Sequence, residues 1–307
     1  MSARAVVFAY HDVGVRCLKT LLSAGLEVPL VVTVRDDPGE TRWFASVADT
    51  ARDCALPVIA PDEADTAQIE ERVAQAKPDF LFSFYYRSML GEPLLCRARR
   101  GALNIHGSLL PKYRGRAPVN WAVLNGERET GATLHHMVAR ADAGDIVDQL
   151  AVPILADDDA REVFAKVTVA AEIVLARSLP ALLEGSAPRR PQPIEPGQYF
   201  GRRRPEDGRI EWMWPAVRVH NLVRAVAPPF PGAFTDAGGR RLWIHRTRVQ
   251  ETDGPPGPAT LFGEREACYA ACGGGGVLRI LAAADENGPL DLAQMAREWQ
   301  VRPLRLG

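Results

Sequence analysis

Several features that would assign a protein class at once are absent from this chain of 307 residues. No stretch approaches the roughly 18 to 20 apolar residues of a membrane span, and the N-terminal apolar run is too short for a signal peptide. The formal net charge of −1 provides no basic field to attract nucleic acid or an anionic membrane. The five scattered cysteines lack a Cys-x-x-Cys pair and indicate a reduced, cytoplasmic protein.

Motifs for bound nucleotide cofactors and metals are missing as well. The first crossover, Tyr10-His-Asp-Val-Gly14, lacks the G-x-G-x-x-G pattern, which argues against NAD or FAD. The glycine run 273–276 precedes no Lys-Ser/Thr, so a hairpin turn explains it better than a phosphate loop. The acidic run Asp157-Asp-Asp159 is typical of a helix start, and no zinc pattern or nucleophile elbow is present. We therefore expect no metal.

The first half of the chain alternates between two hydrophobic periods. Predicted strands are residues 5–10, 29–34, 57–60 and 79–85, and predicted helices between them are residues 15–25, 42–54 and 66–76. Further strands are expected at residues 104–106, 130–138 and 146–154, with a short helix at residues 119–124. This order predicts an α/β fold with a Rossmann-like, mostly parallel sheet and flanking helices.

Proline and arginine mark a boundary near the middle of the chain. A long helix is predicted from about residue 158 to 183, and five prolines follow between residues 187 and 205. We predict a catalytic domain over residues 1–187, a linker over 188–205 and a C-terminal domain over 206–307. The last domain begins with a predicted strand at residues 208–212 and a helix at 215–226. Its remaining short strands predict a β-rich, OB-like open barrel.

The first polar side chains that could take part in a reaction lie at the end of the fifth strand. Asn104 and His106 alternate with Leu103 and Ile105, so the amide and the imidazole lie on one face of the strand. An amide donor beside a titratable ring suits a reaction in which an oxygen becomes negative while a proton moves. Ligands of open α/β sheets bind beyond the carboxyl ends of the strands, which is where this pair lies.

Asp142 is a candidate partner of that imidazole. It sits among small residues in Ala141-Asp-Ala-Gly144, and a carboxylate near His106 would hold the ring and favour its charged form. A turn-capping role for Asp142 is an equally simple reading. His135 and His136 are adjacent on a predicted strand and point in opposite directions, which makes them a poor chelating pair.

The loop after the fifth strand is basic. Lys112, Arg114 and Arg116 follow the Asn/His strand directly, beside Tyr113. These cations either hold an anionic substrate or cofactor tail, or form a solvated surface loop. The composition alone does not distinguish these two possibilities.

The motif Asn104-Ile-His106-Gly-Ser-Leu-Leu-Pro-Lys-Tyr-Arg-Gly, with Asp142-Ala-Gly-Asp 36 residues after the histidine, resembles the 10-formyltetrahydrofolate-dependent formyltransferases. Further blocks are similar to the branch that formylates UDP-4-amino-4-deoxy-L-arabinose, the activity of polymyxin resistance and lipid A modification. These blocks are residues 6–12, 37–40, 82–87, 107–118, 140–144, 200–203 and 223–226.

The resemblance implies a role for each matched residue. Asn104 would stabilise the oxyanion, His106 would donate and accept the proton, and Asp142 would raise the pKa of His106. The co-substrate 10-formyltetrahydrofolate would contact Ser88, Met89, Leu90, Arg116, Val138, Ala139, Arg140, Ala141 and Asp142. The acceptor would be the amine of a nucleotide-linked 4-amino sugar, and neither metal, nucleic acid nor membrane insertion would take part.

Methionyl-tRNA formyltransferase is the alternative function, because it shares the core motif. An RNA-binding member should carry basic surface in the loop after the second strand and in the C-terminal domain. Here that loop, residues 35–40, has three acids and one base. Residues 204–307 hold 13 arginines, no lysine and 12 acidic residues. A formyl-folate hydrolase and a non-catalytic folate-binding regulator are less consistent with the sugar-specific blocks and the intact Asn, His and Asp.

Overall fold

The structure is a computed structural model that describes residues 2–36, 42–61, 66–195, 199–251 and 257–306. The chain divides into two compact units. The first unit comprises Met1–Pro118, Glu129–Pro153 and Ala165–Gly201, and the second comprises Val119–Arg128, Ile154–Phe164 and Arg202–Gly307. The bounds of the three predicted domains remain a prediction.

The first unit is built on a seven-stranded sheet. Its strands are β1 (Arg4–Ala9), β2 (Glu27–Val32), β3 (Val58–Ile59), β4 (Phe80–Phe84), β5 (Gly101–His106), β7 (Glu129–His136) and β8 (Ile146–Pro153). Two short strands, β6 (Arg114–Gly115) and β9 (Tyr199–Phe200), form a separate parallel pair. The order is β3-β2-β1-β4-β5-β7-β8. Strands β1 to β5 are parallel, whereas β7 and β8 run antiparallel to their neighbours. The mostly parallel, Rossmann-like sheet is therefore confirmed.

Helices α1 (His11–Ser23), α2 (Val47–Asp53) and α3 (Thr66–Ala76) pack against strands of this sheet, as a parallel sheet requires. The first unit also contains α4 (Glu92–Leu95) and most of α6 (Ala160–Glu184), whose first residues belong to the second unit. Helix α5 (Pro118–Leu124) belongs to the second unit apart from Pro118. The start of α6 is capped reciprocally: the Glu162 amide donates to Asp159 Oδ1 at 2.8 Å, and the Asp159 amide donates to Glu162 Oε2 at 2.9 Å. The acidic run before α6 is thus a helix start, as predicted.

The second unit contains an antiparallel sheet with the order β10-β11-β14-β13-β12-β16. Its strands are β10 (Ala233–Ala237), β11 (Arg240–Val249), β12 (Thr260–Glu264), β13 (Ala267–Ala271), β14 (Val277–Asp285), β15 (Gly288–Pro289) and β16 (Leu304–Arg305), and its other helices are α7 (Ala216–Val226) and α8 (Leu292–Val301). The curled sheet forms a half-barrel, in agreement with the predicted open barrel. Ala271 pairs with Val277, so the glycine run 273–276 is the expected hairpin turn.

Four local predictions were wrong. The predicted strand at residues 208–212 is a 3-10 turn, Pro205–Gly208, followed by a single bridge at Arg209, because proline starts the turn. Helix α1 begins at His11, four residues before its predicted start at residue 15. Helix α2 begins only at Val47, after Ser46 caps it by accepting the Asp49 amide hydrogen bond at 3.1 Å. Helix α8, capped by Asp291, was missed within the strand-rich region.

The ends of β4 and β5 meet through one close contact. Tyr85 follows β4 with a φ of +58°, and its ring lies against Gly107, the residue after β5. A β-carbon at position 107 would overlap the Tyr85 hydroxyl and lie 3.0 Å from ring carbon Cζ. Burial also raises the pKa of Tyr85, so the phenol stays protonated. The contact lies directly beyond the last paired residues, Phe84 and Ile105, where the polar residues begin.

We predict that Gly107→Ala lowers the free energy of unfolding by about 1–3 kcal/mol, because the new methyl group has no space. Urea denaturation measures the change. The variant Gly201→Ala is the matched control, since a β-carbon there meets nothing within 4 Å. Combining Gly107→Ala with Tyr85→Phe should recover part of the loss. An unchanged unfolding midpoint for Gly107→Ala alone would contradict the contact.

Candidate active site

The register of β5 with β7 brings polar side chains onto one face of the sheet. Asn104 pairs with His135, and His106 pairs with Thr133. Directly opposed residues of an antiparallel pair point to the same side, so the amide and both imidazoles share that face. His106 is buried, and its Nε2 lies 2.8 Å from the Tyr113 carbonyl oxygen. Because a carbonyl can only accept, His106 Nε2 carries a hydrogen and donates it.

The Asp142 carboxylate returns to this face from the loop between β7 and β8. Its Oδ1 lies 3.6 Å from His106 Nδ1 and 3.7 Å from His135 Nε2. Its Oδ2 accepts a hydrogen bond from the Gly115 amide at 2.9 Å. Both imidazole distances exceed a hydrogen bond, so Asp142 acts on the two rings through its charge. Asn104, His106 and Asp142, separated by up to 38 positions in the chain, are thus brought together.

His135 was not among the predicted site residues, yet it is the fourth member of the cluster. Its Nδ1 donates to the His136 carbonyl oxygen at 2.9 Å, which leaves Nε2 as an acceptor. That acceptor faces Asn104 Nδ2 at 3.0 Å, so the amide nitrogen of Asn104 points toward the cluster. Burial lowers the pKa of His135 to about 4 and keeps the ring neutral.

The predicted divergence of His135 and His136 is correct, but His135 was considered only as a metal ligand and not as a member of this site. His136 contacts the region of Gly101 on the other face of the strand. Only its position opposite Asn104 could have identified His135, and that position depends on which strand pairs with β5. No local sequence pattern encodes this pairing.

Two opposing effects set the charge of Asp142. Burial raises its pKa, whereas His106, His135, the Gly115 amide and Arg114 lower it. The second group outweighs burial, so the pKa is lowered from 3.8 and Asp142 is a carboxylate near neutral pH. Beside it, His106 Nδ1 carries no hydrogen when the ring is neutral, because Nε2 donates to the Tyr113 carbonyl oxygen. The cluster therefore combines an amide donor with a protonatable ring.

The basic loop after β5 divides into two kinds of residue. Lys112 and Arg116 are exposed, whereas Arg114 is 2% exposed. The Arg114 guanidinium donates to the carbonyl oxygens of Asp142, at 3.1 Å, and of Ala141. The sequence allowed two roles for Arg114, binding of an anion or a place in a solvated loop, and the observed role is neither. Arg114 holds the backbone of the Asp142 loop and forms part of neither a solvated surface nor an open anion site.

The remaining predicted contact residues lie on two segments after β4 and β7. Met89 and Val138 are large apolar side chains that are 62% and 42% exposed, and Leu90 is buried. Exposed apolar side chains beside polar groups are typical of small-molecule sites. Ala139 and Arg140 are exposed, and Ser88 and Ala141 are partly exposed.

Neither a metal site nor a membrane segment occurs in the part of the chain that the structure describes. Its histidine, cysteine and carboxylate side chains form no group of three or more that could hold a metal ion. Among the same residues, no helix has the length and apolar composition that crossing a membrane requires.

An amide donor, two imidazoles and a carboxylate on one face of a sheet are the kinds of group that enzymes use for acid–base chemistry. Comparison with protein families then identifies the class of enzyme. Residues 4–179 match the family model "Formyl transferase", and residues 203–298 match "Formyl transferase, C-terminal domain". The chain belongs to the formyl transferase family, and it is a formyltransferase.

Solved structures with the same fold include several formyltransferases, one of them named a sugar formyltransferase. An N-formyltransferase from Helicobacter canadensis, in complex with folinic acid and dTDP-3-aminofucose, has 20% identity and a TM-score of 0.74, covering 91% of this chain and 99% of its own. The sugar 3N-formyltransferase WlaRD, with dTDP and 5-N-formyl-THF, has 19% identity and a TM-score of 0.73, covering 94% and 99%. A 4-N formyltransferase from Francisella tularensis has 20% identity and a TM-score of 0.61, covering 76% and 91%.

The neutral state of His135 predicts a specific pH dependence of stability. The unfolded chain protonates this histidine near pH 6.5, but the folded chain resists protonation until about pH 4, so the free energy of unfolding falls as pH drops through this window. In His135→Gln, whose amide oxygen can still accept from Asn104, we expect the fall to be smaller by about 3 kcal/mol. Urea denaturation at stepped pH values measures it. An identical fall in both proteins would show that His135 titrates normally.

Proposed function

We propose that this protein transfers the formyl group of 10-formyltetrahydrofolate to the amine of a nucleotide-linked 4-amino sugar, UDP-4-amino-4-deoxy-L-arabinose, in lipid A modification. The observation that carries the proposal is the gathering of Asn104, His106 and Asp142 on one face of the sheet, with Asp142 Oδ1 3.6 Å from His106 Nδ1. Membership of the formyl transferase family supports the reaction class.

The chemistry needs two charge movements, and the cluster has one group for each. As the amine nitrogen attacks the formyl carbon, the formyl oxygen becomes negative, and the Asn104 N–H that is not bonded to His135 stabilises it. The amine must lose a proton, and the leaving nitrogen N10 must gain one when its bond to the formyl carbon breaks. His106 Nδ1 can carry that proton because Asp142 stabilises the charged ring.

The exposed side chains fit a folate. Bound 10-formyltetrahydrofolate would supply the activated formyl group. Met89 and Val138 offer apolar contact to its ring system, while the exposed Arg116 can pair with a carboxylate of its tail. Two similar structures contain folinic acid or 5-N-formyl-THF, which supports a folate as the donor here.

Support for a sugar acceptor comes from three directions. Similar structures act on amino sugars or contain dTDP-sugar or dTDP. The charge of residues 204–307 is nearly balanced, which is unfavourable for binding tRNA. The sequence blocks resemble the branch specific for UDP-4-amino-4-deoxy-L-arabinose. One of these blocks, residues 37–40, lies outside the described residues.

The acceptor can be tested directly. With 10-formyltetrahydrofolate as donor, we expect UDP-4-amino-4-deoxy-L-arabinose to support turnover with a kcat/KM orders of magnitude above that for methionyl-tRNA. Tetrahydrofolate release and the mass of the formylated product measure it. Turnover with methionyl-tRNA alone would contradict the sugar proposal. Turnover with only dTDP-linked amino sugars would retain the sugar class and reject the UDP assignment.

The proposed catalytic roles predict a large loss of kcat when either Asn104 or His106 is replaced. We expect Asn104→Ala to lower kcat by about 10²–10³ through loss of the oxyanion donor. We expect His106→Ala to lower kcat by about 10²–10⁴ through loss of proton transfer. His245→Ala, a half-buried histidine of the second unit, is the control and should retain wild-type kcat. Near-normal turnover in either site variant, with folding intact, would remove that residue from the mechanism.

A further inference from the structure

The Asp142 backbone has an unusual conformation that needs external support. Its φ is +50°, in the left-handed region that residues other than glycine rarely adopt. The loop is packed tightly, since a β-carbon at Gly144 would overlap the His136 carbonyl oxygen. The carboxylate therefore reaches the two imidazoles only while this loop geometry is maintained.

The support comes partly from a segment that the sequence identifies only as a proline-rich linker. Residues 189–192 run beside the Asp142 loop, within the same unit. Arg190 and Ile146 exchange two backbone hydrogen bonds, of 2.8 and 2.9 Å. Gln192 Nε2 then donates to the carbonyl oxygens of Asp142, at 3.1 Å, and Gly144, at 2.6 Å. One amide group thus holds the backbone on both sides of Ala143.

The Gln192 amide group makes this contact through its nitrogen. Its oxygen Oε1 is buried without a hydrogen-bond partner among the described residues, so the donor nitrogen alone makes the bridge. An unsatisfied buried oxygen costs free energy, which the two donated bonds offset. Arg114 donates to Asp142 and Ala141 carbonyl oxygens from β6. Together the two side chains bind the carbonyl groups of Ala141, Asp142 and Gly144.

We propose that Gln192 is a positioning residue for formyl transfer: by holding the Asp142 and Gly144 carbonyl groups, it keeps the Asp142 carboxylate beside His106. Gln192 acts through Asp142, and it touches neither imidazole in the contacts described. The activity part of this inference rests on the proposed function. Its structural part concerns the position of one carboxylate and stands independently of the acceptor.

The kinetic test is a double-mutant cycle. Gln192→Met keeps an unbranched side chain of similar length and removes both N–H donors. We expect it to lower kcat by about 10- to 100-fold, with KM changed by less than about twofold, because the carboxylate is misplaced while the binding surface persists. In the Asp142→Asn background the same substitution should change kcat by less than about twofold. Gln75→Met, on the exposed face of α3, is the matched control.

Equal losses of kcat in the two backgrounds, or no loss in the wild-type background, would overturn the proposal, since Gln192 would then act independently of Asp142 or not at all. If Gln192→Met fails to fold, Gln192→Leu replaces it, because an uncharged leucine also lacks the two donors.

A second measurement needs no substrate and separates this inference from the proposed function. The Gly115 amide is bonded to Asp142 Oδ2 at 2.9 Å, whereas the adjacent Arg116 amide is bonded to the Phe200 carbonyl oxygen at 2.9 Å. In Gln192→Met we expect faster hydrogen exchange at Gly115 and unchanged exchange at Arg116, read by NMR. Unchanged exchange at Gly115 would overturn the proposal. A wild-type enzyme that formylates no amino sugar would instead reject the proposed function and leave this result standing.

Discussion

The site depends on one structural constraint, the antiparallel register in which Asn104 lies opposite His135 and His106 lies opposite Thr133. This register places an amide and two rings on a single face. Thr133 also uses its hydroxyl to fix the chain that follows β5: it donates to the Ser108 carbonyl oxygen at 2.6 Å and accepts from the Leu110 amide at 3.1 Å. A slip of β7 by one residue would turn His135 and Thr133 to the face opposite Asn104 and His106.

The cluster's charges follow from the same arrangement. Two imidazoles and a carboxylate share a buried region, where an unpaired charge is costly. Burial resolves this by keeping His135 neutral, and the lowered pKa of Asp142 keeps its carboxylate charged. His106 lies beside this negative charge, with its Nδ1 3.6 Å from Asp142 Oδ1. His135 contributes by orienting the Asn104 amide.

The sequence allowed prediction of the parts that depend on local pattern. The alternating strands and helices of the first unit, the helix start at Asp159 and the shared face of Asn104 and His106 all follow from periodicity and capping. The beginning of α1 at His11 has no side-chain cap to mark it and was misplaced. The start of α2 was also misplaced, although its cap by Ser46 is a local signal. His135 and Gln192 could not be recognised, because one acts through strand register and the other through backbone carbonyl groups. Neither interaction leaves a motif in the chain.

The residues of the cluster have no feature that recognises a sugar, a nucleotide or a tRNA. An amide donor, a protonatable ring and a carboxylate serve any amine that attacks a formyl carbon. The four side chains Asn104, His106, His135 and Asp142 therefore do not distinguish one amine acceptor from another. Arg114 and Gln192 hold the Asp142 loop through its backbone carbonyl groups, and this support uses none of these four side chains.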